Sequence, residues 1–345
     1  MVRAIILFLL LVALDIRVYR AEPAALAVGL GWAMAVSAGW WWMERRGKLP
    51  LYRQLYFALL AVFFLMAMHL PKGMGRDFTP YCHLALAGNA ARLVHTQFLA
   101  FAGGTWAKFG ALSLGVLWLA VVLAVGGGFC SWVCFFGGVD DGMSRLPRKP
   151  ILRIPGFIRP REFQLVLLAF LAFISFTQME PEFCRWLCPF KLKTEILDPS
   201  DRAYVFQVGA FAAVGILFLV VVPLLTGKRA FCSAICPFGA IPPLLRWLNP
   251  HRVSIEKGGC KRCGACADAC PSFAIERNGG KYGVNRYCTS CLRCVPACPR
   301  GGIHLTMAGR KEGRFLPFVS LCLGGALSMF YVPAGVLALA RVAAP

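Results

Sequence analysis

The run Gly259-Cys260-Lys261-Arg262-Cys263-Gly264-Ala265-Cys266-Ala267-Asp268-Ala269-Cys270-Pro271 has a second copy, Cys288-Thr289-Ser290-Cys291-Leu292-Arg293-Cys294-Val295-Pro296-Ala297-Cys298-Pro299. Both read C-x2-C-x2-C-x3-C-P, the spacing of a bacterial-type [4Fe–4S] run. Three closely spaced thiolates wrap one face of a cubane, and the last cysteine is carried away on a short helix. The proline after it turns the chain, so the fourth thiolate serves the other cluster. One cluster is therefore expected on Cys260, Cys263, Cys266 and Cys298, and a second on Cys288, Cys291, Cys294 and Cys270. Four-cysteine zinc modules also use C-x2-C pairs, but two full copies of this longer spacing, each closed by proline, are not their habit.

Outward from this segment the chain is apolar. Of its 345 residues 58% are hydrophobic and 15% charged, where a soluble domain carries about 25% charged residues. That balance disfavours an ordinary soluble enzyme, a disordered regulator and a secreted disulfide scaffold. Apolar stretches at Ala4–Leu14, Pro23–Met43, Leu55–Leu70, Phe109–Phe129, Phe163–Met179, Ala203–Leu225 and Phe315–Ala340 read as spans, since about 20 apolar residues cross the hydrocarbon. The first is read as a short span rather than a signal h-region, for want of a small-residue cleavage site. The expected fold is a membrane all-α bundle of about seven transmembrane helices with an inserted cytoplasmic α+β two-cluster ferredoxin domain. The expected boundaries are 1–250 for the transmembrane domain with its paired cysteines, 251–313 for the ferredoxin domain and 314–345 for the final helix.

The net charge of +21 fits basic loops between spans and not a nucleic-acid partner. With Lys228–Arg314 in the cytoplasm and the spans alternating, most of the 37 Lys and Arg residues fall inside, as the positive-inside rule requires. The protein is therefore expected in a bacterial inner membrane. Its reducing side holds the ferredoxin segment, which disfavours disulfides there. Lys257, Lys261, Arg262, Arg286, Arg293 and Arg300 around the two runs either stabilise reduced clusters and steer an acidic donor or simply obey the inside rule.

Upstream lies a second repeat: Phe129-Cys130-Ser131-Trp132-Val133-Cys134, Phe183-Cys184-Arg185-Trp186-Leu187-Cys188 and Phe231-Cys232-Ser233-Ala234-Ile235-Cys236. Each pair sits just past a span, and a C-x3-C pair on a helix sets both thiols on one face. One pair cannot complete a cubane; two can. Cys130, Cys134, Cys232 and Cys236 share the inner side and form a candidate third cluster, with buried packing cysteines and reactive dithiols as the alternatives. Cys184 and Cys188 fall on the outer side with Cys82 and His83, where a further metal centre or a disulfide is open. Cys322 reads as packing, as do Met66, Met68 and Met74; His69 and His95 read as satisfied residues rather than ligands. Gly126–Gly128 reads as close backbone packing, and the absence of C-x-x-C-H excludes c-type haem.

On Phe129–Gly137, Phe231–Leu245 and Cys260–Pro299 the chain resembles the NapH/NosR-type membrane polyferredoxins, with MauN-like and CcoG-like relatives. That resemblance implies membrane helices, C-x3-C-P pairs and a cytoplasmic two-cluster ferredoxin. It also implies electron transfer for periplasmic reductases or service in metalloenzyme assembly. The matched positions are Cys130, Cys134, Cys232, Cys236 and the eight ferredoxin cysteines; Phe135 stands where the pattern has proline, and no flavin-binding outer domain is expected before the spans. The leading expectation is an electron-transfer subunit, rather than a stand-alone enzyme, working between a cytoplasmic donor or the quinol pool and a periplasmic redox protein or metalloenzyme. The alternative is an assembly factor that reduces a metal ion or a disulfide with Cys82, Cys184 and Cys188.

Overall fold

Long apolar runs make the helices, because only intrachain backbone hydrogen bonding satisfies amide groups away from water. The computed structural model describes residues 1–46, 49–69, 95, 98–99, 102–104, 110–147, 149–154, 160–178, 182–189, 204–256, 258, 260–278, 280–311 and 314–343. Helices α1 (Val2–Tyr19), α2 (Pro23–Arg46) and α3 (Leu49–His69) precede α4 (Gly110–Val125), which a glycine turn links to α5 (Phe129–Trp132) and α6 (Phe135–Met143). Then come α7 (Pro160–Gln178), α8 (Glu182–Trp186) and α9 (Tyr204–Gly215), continued through a π-helical turn at Ile216–Val221 into α10 (Val222–Thr226). Among the described residues three helices, Pro23–Arg46, Pro160–Gln178 and Val205–Thr226, are long and apolar enough to cross a membrane. A fourth is gained if the pair Trp118–Trp132 and Phe135–Met143, bent by 44°, is one span.

After α11 (Pro237–Leu244) the chain changes character. Strand β1 (His251–Ile255) pairs antiparallel with β4 (Ile303–Met307), His251 opposite Met307 and Ile255 opposite Ile303; β4 also pairs with β5 (Arg310–Lys311). Between them lie the hairpin β2 (Ile275–Asn278) with β3 (Lys281–Val284) and the one-turn helices α12 (Ala265–Asp268) and α13 (Cys294–Ala297). Each short helix begins inside a cysteine run, as the C-x3-C-P spacing predicts. One buried cluster joins both halves: Val253, Ile303 and Leu305 of the sheet share it with Phe129, Phe231 and Phe238.

The last apolar stretch is not a single helix. Helix α14 (Phe315–Met329) ends and α15 (Val332–Ala343) begins across Phe330 and Tyr331. Pro333 has no N–H to give the carbonyl four residues back. That carbonyl, of Met329, instead accepts a bond from the Tyr19 hydroxyl at 2.9 Å. Ser328 adds to the break, its hydroxyl donating to the Gly325 carbonyl at 2.6 Å while accepting from the Trp32 indole at 2.8 Å.

Candidate metal centres

The two cysteine runs fold alike. Arg262 (φ 58°) and Gly264 (φ 81°) flank Cys263, and Ser290 (φ 50°) and Leu292 (φ 61°) flank Cys291 at the equivalent positions. Such left-handed residues are rare outside glycine, and alternating handedness turns successive backbone N–H groups into a concavity that receives anions, iron–sulfur groups among them. The concavities are lined as follows. Cys260, Cys263, Cys266 and Cys298 line one pocket, with Ile255, Tyr282 and Ile303 around them. Cys270, Cys288, Cys291 and Cys294 line another, against Val253, Ala274 and Leu292. In each pocket three thiols come from one run and the fourth from the other. A net-negative cubane fits this donor set, these N–H concavities and these apolar walls. Burial raises the thiols of Cys270 and Cys294, so any metal bound there displaces protons. Among the described residues no three or more His, Cys, Asp or Glu groups converge on a point that would hold a single metal ion.

The first pocket faces outward: Cys263 is exposed, Cys260 and Cys298 half-buried. The second is pressed onto the helical part. Trp132, between Cys130 and Cys134, donates its indole N–H to the Ser290 carbonyl at 3.2 Å. Arg161 donates to the carbonyls of Ser272 (3.1 Å) and Tyr287 (3.4 Å). The backbone N–H of Arg229 reaches the Pro271 carbonyl at 2.9 Å, and Lys228 caps α12 through the Cys270 carbonyl at 2.6 Å. Gly127 explains the glycine run: a Cβ there would stand 2.6 Å from the Cys288 carbonyl oxygen and 2.8 Å from the Thr289 Cα.

Cys130, Cys134, Cys232 and Cys236 are all buried in one cluster. The two pairs are built alike but not as pairs on one helix. In each, the second cysteine N–H bonds the phenylalanine carbonyl five residues back, Cys134 to Phe129 at 3.0 Å and Cys236 to Phe231 at 2.9 Å. The second cysteine then turns extended (ψ 121° and 117°) to cap the next helix. The expectation of two thiols one turn apart on a continuous helix is thus corrected: the widened turn ends the helix between them. Buried polar groups hold the pairs. Arg229 donates to the Cys130 carbonyl (2.6 Å), to Ser131 Oγ (3.0 Å) and to Cys232 Sγ (3.4 Å). The Cys232 N–H donates to Asp140 Oδ2 at 2.8 Å. Gln164 gives its amide to the carbonyls of Cys232 (2.9 Å) and Cys236 (2.6 Å), and Arg161 also reaches Cys232 O at 3.2 Å. Arg53 ties Ser131 O (2.7 Å) to Asp141 Oδ2 (2.8 Å).

The comparisons with known proteins follow the same repeat. A family described as a 4Fe-4S binding domain matches three times, at residues 108–154, 163–201 and 208–255, one match for each paired-cysteine motif. A 4Fe-4S dicluster domain matches 252–299. The chain is 26% identical to YccM of Escherichia coli (strain K12) over 196 residues, 55% of this chain and 53% of that protein. It is 28% identical to the ferredoxin-type protein NapH of the same strain over 201 residues, 56% of this chain and 67% of that one. To the regulatory protein NosR of Pseudomonas aeruginosa it is 29% identical over 283 residues, 73% of this chain and 37% of that one. The chain belongs to the NapH/NosR-type polyferredoxin family. It spans about half of YccM and two-thirds of NapH. No solved structure matches it. Its matched segments are 4Fe-4S, ferredoxin-type domains.

Family membership did not point to the buried cations. Arg53 and Arg161, which fall just before the spans expected at Leu55–Leu70 and Phe163–Met179, lie inside helices and are almost fully enclosed. Their signal was a charged residue at the lip of an apolar run, which position alone does not separate from an interface anchor. The basic rim is mixed: Lys261, Arg262, Arg286 and Arg300 are exposed, whereas Arg293 is half-buried and donates to Ser144 Oγ at 3.0 Å. Lys257 lies outside the described residues.

Cys184 and Cys188 repeat the local fold, Cys188 N–H to Phe183 O at 3.0 Å, and are buried. Their element α8 folds against the far end of α7, Glu182 N–H to Ser175 Oγ at 3.4 Å, whereas Arg161 and Gln164 at the near end hold Cys232. At about 1.5 Å per residue those ends are roughly 20 Å apart, so α7 separates this pair from the other two. Cys82, His83 and Met74 lie outside the described residues, as do the side chains of Met66, Met68 and His69. His95 is exposed, and Cys322 is half-buried beside the cluster of Leu321 and Met329.

Proposed function

We propose that the chain is an integral inner-membrane protein that carries electrons between a cytoplasmic donor or the quinol pool and a periplasmic redox partner. Cys260, Cys263, Cys266 and Cys298 would hold one [4Fe–4S] cluster, Cys288, Cys291, Cys294 and Cys270 a second, and Cys130, Cys134, Cys232 and Cys236 a third. Bound there, such groups supply one-electron storage. The chain's own residues do the rest. Trp132, Arg161 and Arg229 fix the second ferredoxin pocket against the buried pairs, so the pockets succeed one another from solvent towards the helices. Buried guanidinium groups offset the negative charge that four thiolates and a cubane bring into a place water does not reach.

The observation that carries this reading is the pair of four-cysteine pockets with exchanged fourth thiols, one of them docked on the buried paired cysteines. Apolar side chains turned outward support the membrane setting: Phe163, Val166, Phe170, Phe173 and Phe176 of α7 are all exposed, which costs too much in water for one helix face. The burial of Cys184 and Cys188 favours the conduit over an assembly factor that works through accessible outer thiols. Iron and sulfide per chain, measured on anaerobically purified protein with EPR under stepped reduction, test the assignment. About twelve iron atoms, four per cubane, are expected. About eight would remove the third centre, and a colourless, zinc-loaded protein would end the reading.

A further inference from the structure

Where the ferredoxin sheet meets the starts of α1 and α14, a cavity of about 610 Å³ is lined by Arg3, Met307, Arg310, Lys311, Arg314 and Phe315. Three separate parts of the chain supply its four cations. Arg3 comes from the first turn of α1, Arg310 and Lys311 form β5, and Arg314 directly precedes α14. Strand β5 is the edge of its sheet, where basic side chains ordinarily guard against strand pairing. That role accounts for Arg310 and Lys311 but not for Arg3 and Arg314, which reach the same recess from elsewhere.

Carboxylates take up only part of this charge. Glu44 stands 3.7 Å from Arg3, and Glu256 pairs with Lys311. Arg314 donates to the backbone carbonyl of Glu44, which leaves its charge in place. Among the described residues neither Arg310 nor Arg314 makes an ion pair; Glu312 lies outside those residues. Two helix starts add to the field. Neither α1 nor α14 has an acidic residue in its first turn, and neither is capped by a side chain. Free N–H groups and the dipole at such starts favour an anion.

The occupant is also partly apolar. At about 30 Å³ per water molecule, the cavity has room for much more than a bare phosphate. Met307 and Phe315 on its rim are 41% and 47% exposed. Beyond Arg3, α1 turns Ile5, Ile6, Leu9 and Leu10 outward. The bond from Arg314 sets the cavity at the end of α2, where Arg45 and Arg46 lie over Trp41 and Trp42. Tryptophan and arginine together mark a membrane–water boundary. A soluble anion would use the cations and leave the hydrocarbon idle; an anionic phospholipid uses both.

We propose that this cavity binds the headgroup of an anionic phospholipid, with its phosphate among Arg3, Arg310, Lys311 and Arg314 and its acyl chains along Ile5, Ile6 and Leu9. The lipid ties the edge of the ferredoxin sheet to the helices, where Phe315 already stacks on His251 of β1 with ring centres 6.0 Å apart. The proposal rests on the membrane setting of the proposed function and not on the clusters.

Native mass spectrometry of the whole chain, purified in detergent and stripped of lipid, tests it by titration with dioleoyl-phosphatidylglycerol or dioleoyl-phosphatidylcholine. One saturable phosphatidylglycerol adduct is expected, and none with phosphatidylcholine at the same concentration. Each Lys or Arg near an anionic lipid surface is worth about a factor of five. Arg310→Gln with Lys311→Gln therefore weakens binding about 25-fold, and Arg3→Gln, on another element, about fivefold. Lys149→Gln with Arg153→Gln removes the same charge from exposed positions outside the cavity and leaves the constant unchanged. Iron content as in the wild type shows that a variant is folded; where the β5 variant loses iron, Arg3→Gln decides. Equal binding of the two lipids, unchanged affinity in the cavity variants, or an equal loss in the control pair is general attraction to basic loops and overturns the proposal. So does full displacement by glycerol 3-phosphate, which makes the ligand a soluble anion. A chain that stays in solution without detergent sinks the membrane setting; one that needs detergent yet takes up no phosphatidylglycerol sinks the lipid site alone.

Discussion

Arg229 shows how one side chain can decide whether a buried group of thiols holds metal. It is fully enclosed and its fork touches the Cys130 carbonyl, Ser131 and Cys232. A lysine could supply the charge, but its single nitrogen cannot reach groups spread across the two ends of a planar fork. Arg229→Met leaves Asp140 and the thiolates without their nearest cation, a loss on the order of 3–5 kcal/mol when one partner of a buried pair is removed. The expected outcome is protein that retains the ferredoxin EPR signals but falls from about twelve to about eight iron atoms per chain; Arg229→Lys recovers part of the difference. A second residue-scale effect concerns the cluster-free protein. Burial raises the Cys270 and Cys294 thiols, so above the ordinary thiol value of about 8.5 the unfolded chain loses protons that the native chain keeps. Stability then falls as pH rises. Thermal melts of the iron-stripped protein should show a lower midpoint at pH 9.5 than at pH 7.5, and an unchanged midpoint would contradict the enclosure of these thiols.

At the scale of elements, the glycine turn after α4 is what lets the ferredoxin segment seat on the helices. A side chain at Gly127 meets backbone atoms of Cys288 and Thr289, which cannot rotate away, so Gly127→Val should cost about 1–3 kcal/mol as overpacking does. Protease sensitivity between Glu256 and Arg262 should rise with it. Gly142→Val makes the control, because an added Cβ there meets nothing within 4 Å; equal sensitivity in both variants would mean that the contact does not seat the segment. These elements also mark where the sequence could and could not be read. The cysteine spacing announced two pockets and their exchanged fourth thiols, because ligand spacing is local and repeats. The break at Phe330 was hidden. Its cause is partly local, Pro333, but the bond that makes it tolerable comes from Tyr19, more than three hundred residues away in sequence. The same holds for Gln164 at the Cys232 and Cys236 carbonyls: periodicity gives a helix its faces without saying which distant carbonyl one face will meet.

At the scale of the whole molecule, the proposed orientation rests on the distribution of charge and apolar surface. The exposed faces of α1 (Ile5, Ile6, Leu9, Leu10) and α7 are hydrocarbon, which suits lipid around the helices, while the strands and cysteine runs carry exposed Lys261, Arg262, Arg286 and Arg300. Lysine and arginine resist transfer across the membrane, so loops rich in them stay on the cytoplasmic side. In the proposed orientation the first cysteine pocket would present its exposed Cys263 to a soluble cytoplasmic donor. Of the three described cysteine pairs, Cys184 and Cys188 lie at the opposite end of α7. A membrane-impermeant acetylating reagent distinguishes the two orientations. Lys149 and Lys261, both exposed, should stay unmodified in intact spheroplasts and become acetylated in inverted vesicles, as read by mass spectrometry of their peptides. Modification in spheroplasts would put the ferredoxin pockets outside the cell. A cytoplasmic donor could then not reach them, and the direction of the proposed conduit would have to be reversed.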